Sequence, residues 1–318
     1  MSEVVFEKCD PRDREAELKD LFARNDKAQF AEVFDRAIRP RAARGLRSWV
    51  GLQDGRVVMH VAVTPLQFVG GGRSLKGGIM SDLMVDDGHR DFWVPVRLIR
   101  KMISDVKRGG ELDFLLTTTT STAEAVFKAG GFKPFATLRR YVLPLNPLYL
   151  AFARIRARIK RTRVQPSGLA QWETNTSLTD GPWRPLANAE YFETRIPRFE
   201  FTDGEWISVA NGRKSDPGYA LVARDPHLEE LRLADAFWNN QGIGLGEIVH
   251  AAGRWGRKRG FKKFTMGTVH ESAVGTELQR CGFFARDVRS VLLLHQISSV
   301  APPPVEDWFL LGFALSGW

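Results

Sequence analysis

Cysteine is almost absent from this chain: Cys9 and Cys281 are its only two among 318 residues. Two thiols so far apart give no disulfide framework. No Cys/His cluster has metal-ligand spacing, so no structural zinc site and no metal is expected, and a reducing compartment fits. Long apolar runs are missing as well. No stretch of 18 apolar residues exists to span a bilayer. The opening MSEVVFEKCDPRD has no apolar core of the kind a signal peptide carries. The expected location is the cytoplasm. Also lacking are a Gly-x-Ser-x-Gly elbow, a dense histidine motif, a Walker-type loop and a Gly-x-Gly-x-x-Gly loop, so serine-hydrolase chemistry has no visible support.

What is present is an ordinary globular composition, 43% hydrophobic and 26% charged, in a length that suits two domains of about 150 residues each. Positive charge is in excess, 46 Lys and Arg against 37 Asp and Glu, a net +9. Such a surface is either simply basic or suited to a polyanion: nucleic acid, anionic lipid, an acidic carrier protein or a phosphorylated cofactor.

Hydrophobic periodicity gives an α/β order. Strand patterns at Val4–Lys8, Ser48–Leu52 and Val57–Val63 (the last two joined by the hairpin signal Gln53-Asp54-Gly55), Leu66–Val69 and Gly77–Val85 alternate with helix patterns at Arg14–Asn25 and Ala31–Ile38. Val94–Lys107 is a helix with Pro95 in its first turn, where the missing N–H costs nothing. Strand Asp113–Thr118, helix Thr122–Ala129 and strand Leu138–Leu143 close the first part. The second part repeats the order: strands Glu205–Val209, Tyr219–Ala223 and Leu231–Phe237, helix Gly246–Arg259, strand Phe261–Thr268, helix Ser272–Arg280 and strand Arg289–His295. The tail Ala301–Trp318 turns apolar at Trp308-Phe309-Leu310-Leu311 and is expected to dock on the body.

Between the parts, Asn146–Arg163 reads as a basic amphipathic helix. Leu148, Phe152, Ile155 and Ile159 form one stripe, and Arg154, Arg156, Arg158, Lys160, Arg161 and Arg163 crowd the rest. The stretch Leu148–Arg163 is expected to be an interdomain strut, its stripe packed inward and its arginines in water. The alternative is a surface-binding helix for anionic lipid, an acidic acyl-carrier protein or an RNA backbone, which would bring the chain to the inner membrane face. Val164–Pro182 reads as a linker.

The two parts align on each other. Ser81–Pro144 and Leu231–Gln296 share strand, loop, helix, strand, helix, Gly-Phe, strand, with Val126-Phe127-Lys128-Ala129-Gly130-Gly131-Phe132 matching Glu277-Leu278-Gln279-Arg280-Cys281-Gly282-Phe283. This repeat resembles the core of the GNAT (N-acetyltransferase) superfamily. Two copies in one chain resemble its tandem members, among them the peptidoglycan-bridge aminoacyltransferases. The resemblance implies an α/β (α+β) fold of two tandem GNAT-like domains, 1–145 and 183–318 joined by 146–182, each a mixed, mostly antiparallel sheet flanked by helices.

The family's (Gln/Arg)-x-x-Gly-x-(Gly/Ala) motif has a physical rationale: small residues let backbone amides at a helix N-terminus approach the pyrophosphate of coenzyme A. Gln241-Gly242-Ile243-Gly244-Leu245-Gly246 matches every position, after a strand and before a helix. With Phe237 and Trp238, this is the expected site for acetyl-CoA or a longer acyl-CoA. In the first part the aligned Arg90-Asp91-Phe92-Trp93-Val94-Pro95 is degenerate: Asp91 adds a like charge, Trp93 is expected to fill the phosphate's space, and Pro95 lacks a donor.

Acyl transfer to an amine needs a base, donors for the thioester oxygen and an acid for the thiolate. Asp235, in the apolar run Leu233-Ala234-Asp235-Ala236-Phe237, is the candidate base, with burial expected to raise its pKa. His270 is a second candidate, base or acid, and Asp82 is the matching position in the first part. Where the family has a tyrosine, Leu278 and Phe127 stand instead, and neither can donate a proton. The expected function is an acyl-CoA-dependent N-acyltransferase acting on a small-molecule amine such as an amino sugar or amino-acid derivative, with no DNA partner. The alternatives are an aminoacyl-tRNA-dependent transferase or a catalytically silent binding protein.

Overall fold

A computed structural model of the chain describes residues 3–25, 34, 38–43, 45–119, 121–160, 162–167, 182–186, 204–210, 217–225, 230–238 and 243–310. The helix expected at Ala31–Ile38 lies almost wholly outside them. So do Gln241, Gly242, most of Val164–Pro182 and the last eight residues.

The first unit runs β1 (Val5–Cys9), α1 (Glu15–Arg24), a helical turn at Arg39–Ala42, β2 (Arg47–Gln53), β3 (Arg56–Gly70), β4 (Arg73–Val85), α2 (Trp93–Gly109), β5 (Phe114–Thr119) and α3 (Ser121–Ala129). After β6 (Lys133–Pro144) and α4 (Pro147–Arg156) come two short strands, β7 (Arg163–Pro166) and β8 (Arg184–Pro185). The second unit runs β9 (Glu205–Ala210), β10 (Gly218–Asp225), β11 (Glu230–Phe237), α5 (Leu245–Lys258), β12 (Lys263–Val269), α6 (Ala273–Arg280) and β13 (Phe284–Gln296).

Three details differ from the sequence reading. The strands expected at Val57–Val63 and Leu66–Val69 are one, β3, running through Pro65. The proline is tolerated because β2 pairs β3 only up to Val63, so beyond it β3 has an open flank until β8 joins at Phe68 and Val69. The basic helix ends at Arg156, not Arg163: Arg158 takes a left-handed backbone (φ 55) and Ile159 N–H turns back to the Arg154 carbonyl. Arg163, expected in that helix, begins β7 instead.

The strands form one sheet ordered β1-β2-β3-β4-β5-β13-β6-β12-β11-β10-β9-β7, with β8 on β3. The two closing strands are exchanged. β13, last in the second unit's sequence, lies between β5 and β6 and pairs Leu294 with Leu116. β6, last in the first, pairs β12 from Lys263↔Pro144 to Val269↔Leu138. Buried Glu230 on β11 ties this seam together, pairing with Arg140 on β6 and Lys263 on β12.

The core follows the exchange. Tyr141, Leu143 and Leu145 pack with Phe237, Ile248, Phe264 and Leu278 of the second unit. Leu293 packs with Met80, Ile99 and Phe127 of the first. Trp308 is fully buried against Phe68, Phe114 and Phe135. Trp183 N–H donates to the Asp307 carbonyl and the Trp183 carbonyl accepts from Phe309 N–H, which clamps the described part of the tail. Among the described residues no helix is long and apolar enough to cross a membrane.

Candidate functional site

Each unit has one strand pair that parts. β4 and β5 run parallel and pair only from Gly77↔Phe114 to Ile79↔Leu116, after which β4 continues to Val85. β11 and β12 pair only at Leu231↔Phe264 and Arg232↔Thr265, after which β11 continues to Phe237. Parallel strands that diverge leave unpaired backbone facing a wedge, and such a wedge admits an extended ligand.

A bulge marks each arm. On β4 the register slips opposite His60–Ala62, and Asp82 adopts a left-handed backbone (φ 59). On β11 it slips opposite Leu221–Val222. An extra residue re-aims the side chains around it. Both bulges carry a buried aspartate beside a buried arginine. Asp82 meets Arg41 at 3.0 Å and accepts from Ser81 Oγ at 2.8 Å. Asp235 Oδ1 lies 3.6 Å from Arg184 and accepts from Ala236 N–H at 2.8 Å. Arg184 also donates to the Ala236 carbonyl, and its guanidinium sits 4.1 Å from the Phe237 ring centre. The apolar setting read for Asp235 thus contains a buried cation. Neither Arg41 nor Arg184 was visible as a site residue, because each comes from a segment remote in sequence.

The first bulge is further tied by a histidine. His60 is fully buried between Ser48 Oγ and the Asp82 carbonyl, each at 3.0 Å. Burial pushes its pKa down to about 4. The neutral ring therefore donates from Nδ1 to the carbonyl and accepts at Nε2 from the Ser48 hydroxyl.

His270 follows β12, so it and Asp235 lie on opposite arms of the second wedge. Its Nδ1 is 2.7 Å from the Tyr141 hydroxyl. Burial raises the Tyr141 pKa above its ordinary value, partly offset by Arg139, so the phenol stays protonated within hydrogen-bond distance of Nδ1. Tyr141 reaches this place through the strand exchange. Its hydroxyl lies beneath Gly275 in the first turn of α6, where an added Cβ would stand 2.8 Å from it. Leu278, one turn on, is fully buried. Burial pushes the Cys281 thiol up, which leaves it inert as a nucleophile.

The helix N-termini beyond the wedges differ. α5 begins at Leu245, with Gly244 as its cap in extended conformation (φ −92, ψ 171). The Gly244 N–H donates to Glu247 Oε2 at 3.1 Å. A Cβ on Gly244 would meet only that carboxylate, at 3.0 Å. Among the described residues, the first-turn amides of Leu245, Gly246 and Glu247 have no partner. The side chains of Ile243 and Leu245 point into the core; a Cβ added to Gly246 would stand 3.0 Å from Cys281 Sγ. A diphosphate fits this turn through its backbone, provided that the flexible end of Glu247 swings aside. Phe237 is buried, and Trp238 packs edge-on against Phe309 at 5.1 Å.

At α2 the same donors are spent. Trp93 N–H is taken by Asp91 Oδ1 at 2.9 Å, Val94 N–H by the Asp91 carbonyl at 3.3 Å, and Pro95 has none. Trp93 is 59% exposed and stacks edge-to-face on Phe92.

At the level of sequence, no protein-family model and no curated protein matches the chain. Solved structures do. A GCN5-related N-acetyltransferase from Anabaena variabilis superposes with a TM-score of 0.63 at 13% identity, over 92% of this chain and 73% of that one. A probable N-acyltransferase from Enterococcus faecalis gives 0.65 at 10%, over 93% and 73%. A tandem GNAT protein from the clavulanic acid biosynthesis pathway gives 0.57 at 13%, over 94% and 100%. The chain has the GNAT fold. At these identities the likeness carries the fold alone, and it does not single out the bridge-forming aminoacyltransferases. Gly244–Glu247 and Asp91–Pro95 are the two loop-to-helix turns that follow the parted strands. Among the described residues no group of three or more His, Cys, Asp or Glu could hold a metal ion.

Proposed function

We propose that the second unit is the acyl-donor site of an N-acyltransferase that uses acetyl-CoA or a longer acyl-CoA and acylates the amine of a small molecule. The GNAT fold supports acyl transfer in general. The observation that carries the assignment to the second unit is the N-terminus of α5, whose first-turn amides remain available while those of α2 are taken. Bound there, coenzyme A supplies an activated acyl thioester.

The chain's own groups divide the remaining work. Leu245, Gly246 and Glu247 hold the diphosphate through their N–H groups. Asp235, oriented by Arg184 and Ala236, takes the proton of the attacking amine. Tyr141 holds a proton at its hydroxyl, backed by His270 Nδ1, and replaces the tyrosine that position 278 lacks. Phe237 and Trp238, packed on Arg184 and Phe309, keep water from the wedge.

Calorimetric titration with acetyl-CoA and a long-chain acyl-CoA tests this reading. Wild type should bind at least one thioester, and Gly244→Trp should lose about a hundredfold or more in affinity, because the indole covers the cradle. Absence of binding to either thioester would overturn the donor assignment and favour an aminoacyl-tRNA donor or a silent binding protein.

A further inference from the structure

Helix α4 inverts the stripe read from its sequence. Its cap is orderly: the Asn146 side chain accepts from Leu148 N–H at 2.9 Å, and Pro147 opens the first turn. The side it buries is Leu150 and Ala153. Ala153 rests on Gly282, where an added Cβ would come within 2.6 Å, and the Tyr149 hydroxyl donates to the Gly282 carbonyl at 2.6 Å. This small-on-small contact turns the stripe outward. Leu148, Phe152 and Ile155 are 82%, 62% and 69% exposed, so they are not the packed face of a strut. At about 100° per residue they fall within a 60° arc. Ile159, beyond the helix end, is the stripe member that turns inward, toward Gly246.

The charge along this segment has one sign. Arg154, Arg156, Arg158, Lys160, Arg161 and Arg163 follow one another, and no Asp or Glu occurs between Glu124 and Glu173. Arg156, Arg158 and Lys160 are exposed. Among the described residues, none of Arg154, Arg156, Arg158 and Lys160 forms an ion pair.

We propose that α4 is a membrane-surface helix that sets Leu148, Phe152 and Ile155 into the acyl boundary of an anionic bilayer, with Arg154–Arg163 on the headgroup phosphates. An apolar ridge flanked by unpaired cations matches that surface in both layers. A second copy of the chain matches it poorly. A two-fold contact would set these arginines against themselves, and three side chains offer far less area than a stable dimer needs. The inference does not depend on acyl transfer.

The test is co-sedimentation of the full chain with vesicles of pure phosphatidylglycerol and of pure phosphatidylcholine. Binding should be confined to phosphatidylglycerol and weaken with salt. The combined variant Leu148→Ser, Phe152→Ser, Ile155→Ser should lose more than about tenfold in partitioning, with an unchanged thermal midpoint, since these positions are exposed. Arg156→Glu with Arg158→Glu and Lys160→Glu should lose it independently, which keeps the test open if the first variant folds poorly. No binding, equal binding to both lipids, or binding that survives both variants would overturn the proposal. Self-association of wild type that the serine variant abolishes, read by light scattering, would assign the ridge to a second copy instead.

Discussion

The two units have the same parted strands, the same bulge on the central arm and the same buried Asp–Arg pair, yet their phosphate-facing helices begin in opposite ways. At α5 a glycine cap and one flexible glutamate leave three first-turn amides for an anion. At α2, Asp91 takes two amides and Pro95 removes the third. The loss in the first unit is therefore local. Both units keep the parted strands, and at α2 the first-turn amides are spent on Asp91. A fold can keep its architecture while a few residues at one helix terminus decide whether its first-turn amides are open or spent.

The shared part of this comparison breaks first at the buried pairs. Arg41→Met should take from buried Asp82, and Arg184→Met from buried Asp235, the guanidinium that pairs with it. Each is expected to cost about 3–5 kcal/mol, read as a fall in denaturant midpoint. Loss in only one unit would mean that the two pairs are not equivalent.

The next effect is read at a histidine of the first unit. His60 has a folded pKa of about 4 against an ordinary 6.5. The unfolded chain therefore binds the extra proton between these values. The contribution of neutral His60 is fully present above pH 6.5 and is lost as pH falls toward 4, by up to roughly 3 kcal/mol. His60→Gln should flatten the stability–pH slope in that window by about one proton. An unchanged slope would refute the buried neutral ring.

The smallest effect, on rate alone, sharpens the second unit. Tyr141→Phe should lower kcat about a hundredfold with little change in KM, and remove the limb of the pH profile that reports loss of the acid. Equal loss in KM would make Tyr141 a packing residue.

The element order, both Gly-Phe turns and the glycine start of α5 were legible because period-2 and period-3.6 patterns and helix caps are local. Three features were not. β6 and β13 have the same pattern, and nothing in either strand states which neighbour it will choose, so the exchange that brings Tyr141 under α6 was invisible. Arg41 and Arg184 reach their aspartates from distant segments. For α4, periodicity identified the stripe but not its direction, which is decided by Ala153 fitting on Gly282 across the chain.

Amide hydrogen exchange with and without acetyl-CoA measures the N-termini of α2 and α5 in one experiment and tests the difference between them most directly. Protection should appear at Ile243–His250 and be absent at Asp91–Val96. Protection at Asp91–Val96, or none at Ile243–His250 under saturating acetyl-CoA, would contradict the assignment of the donor site to the second unit.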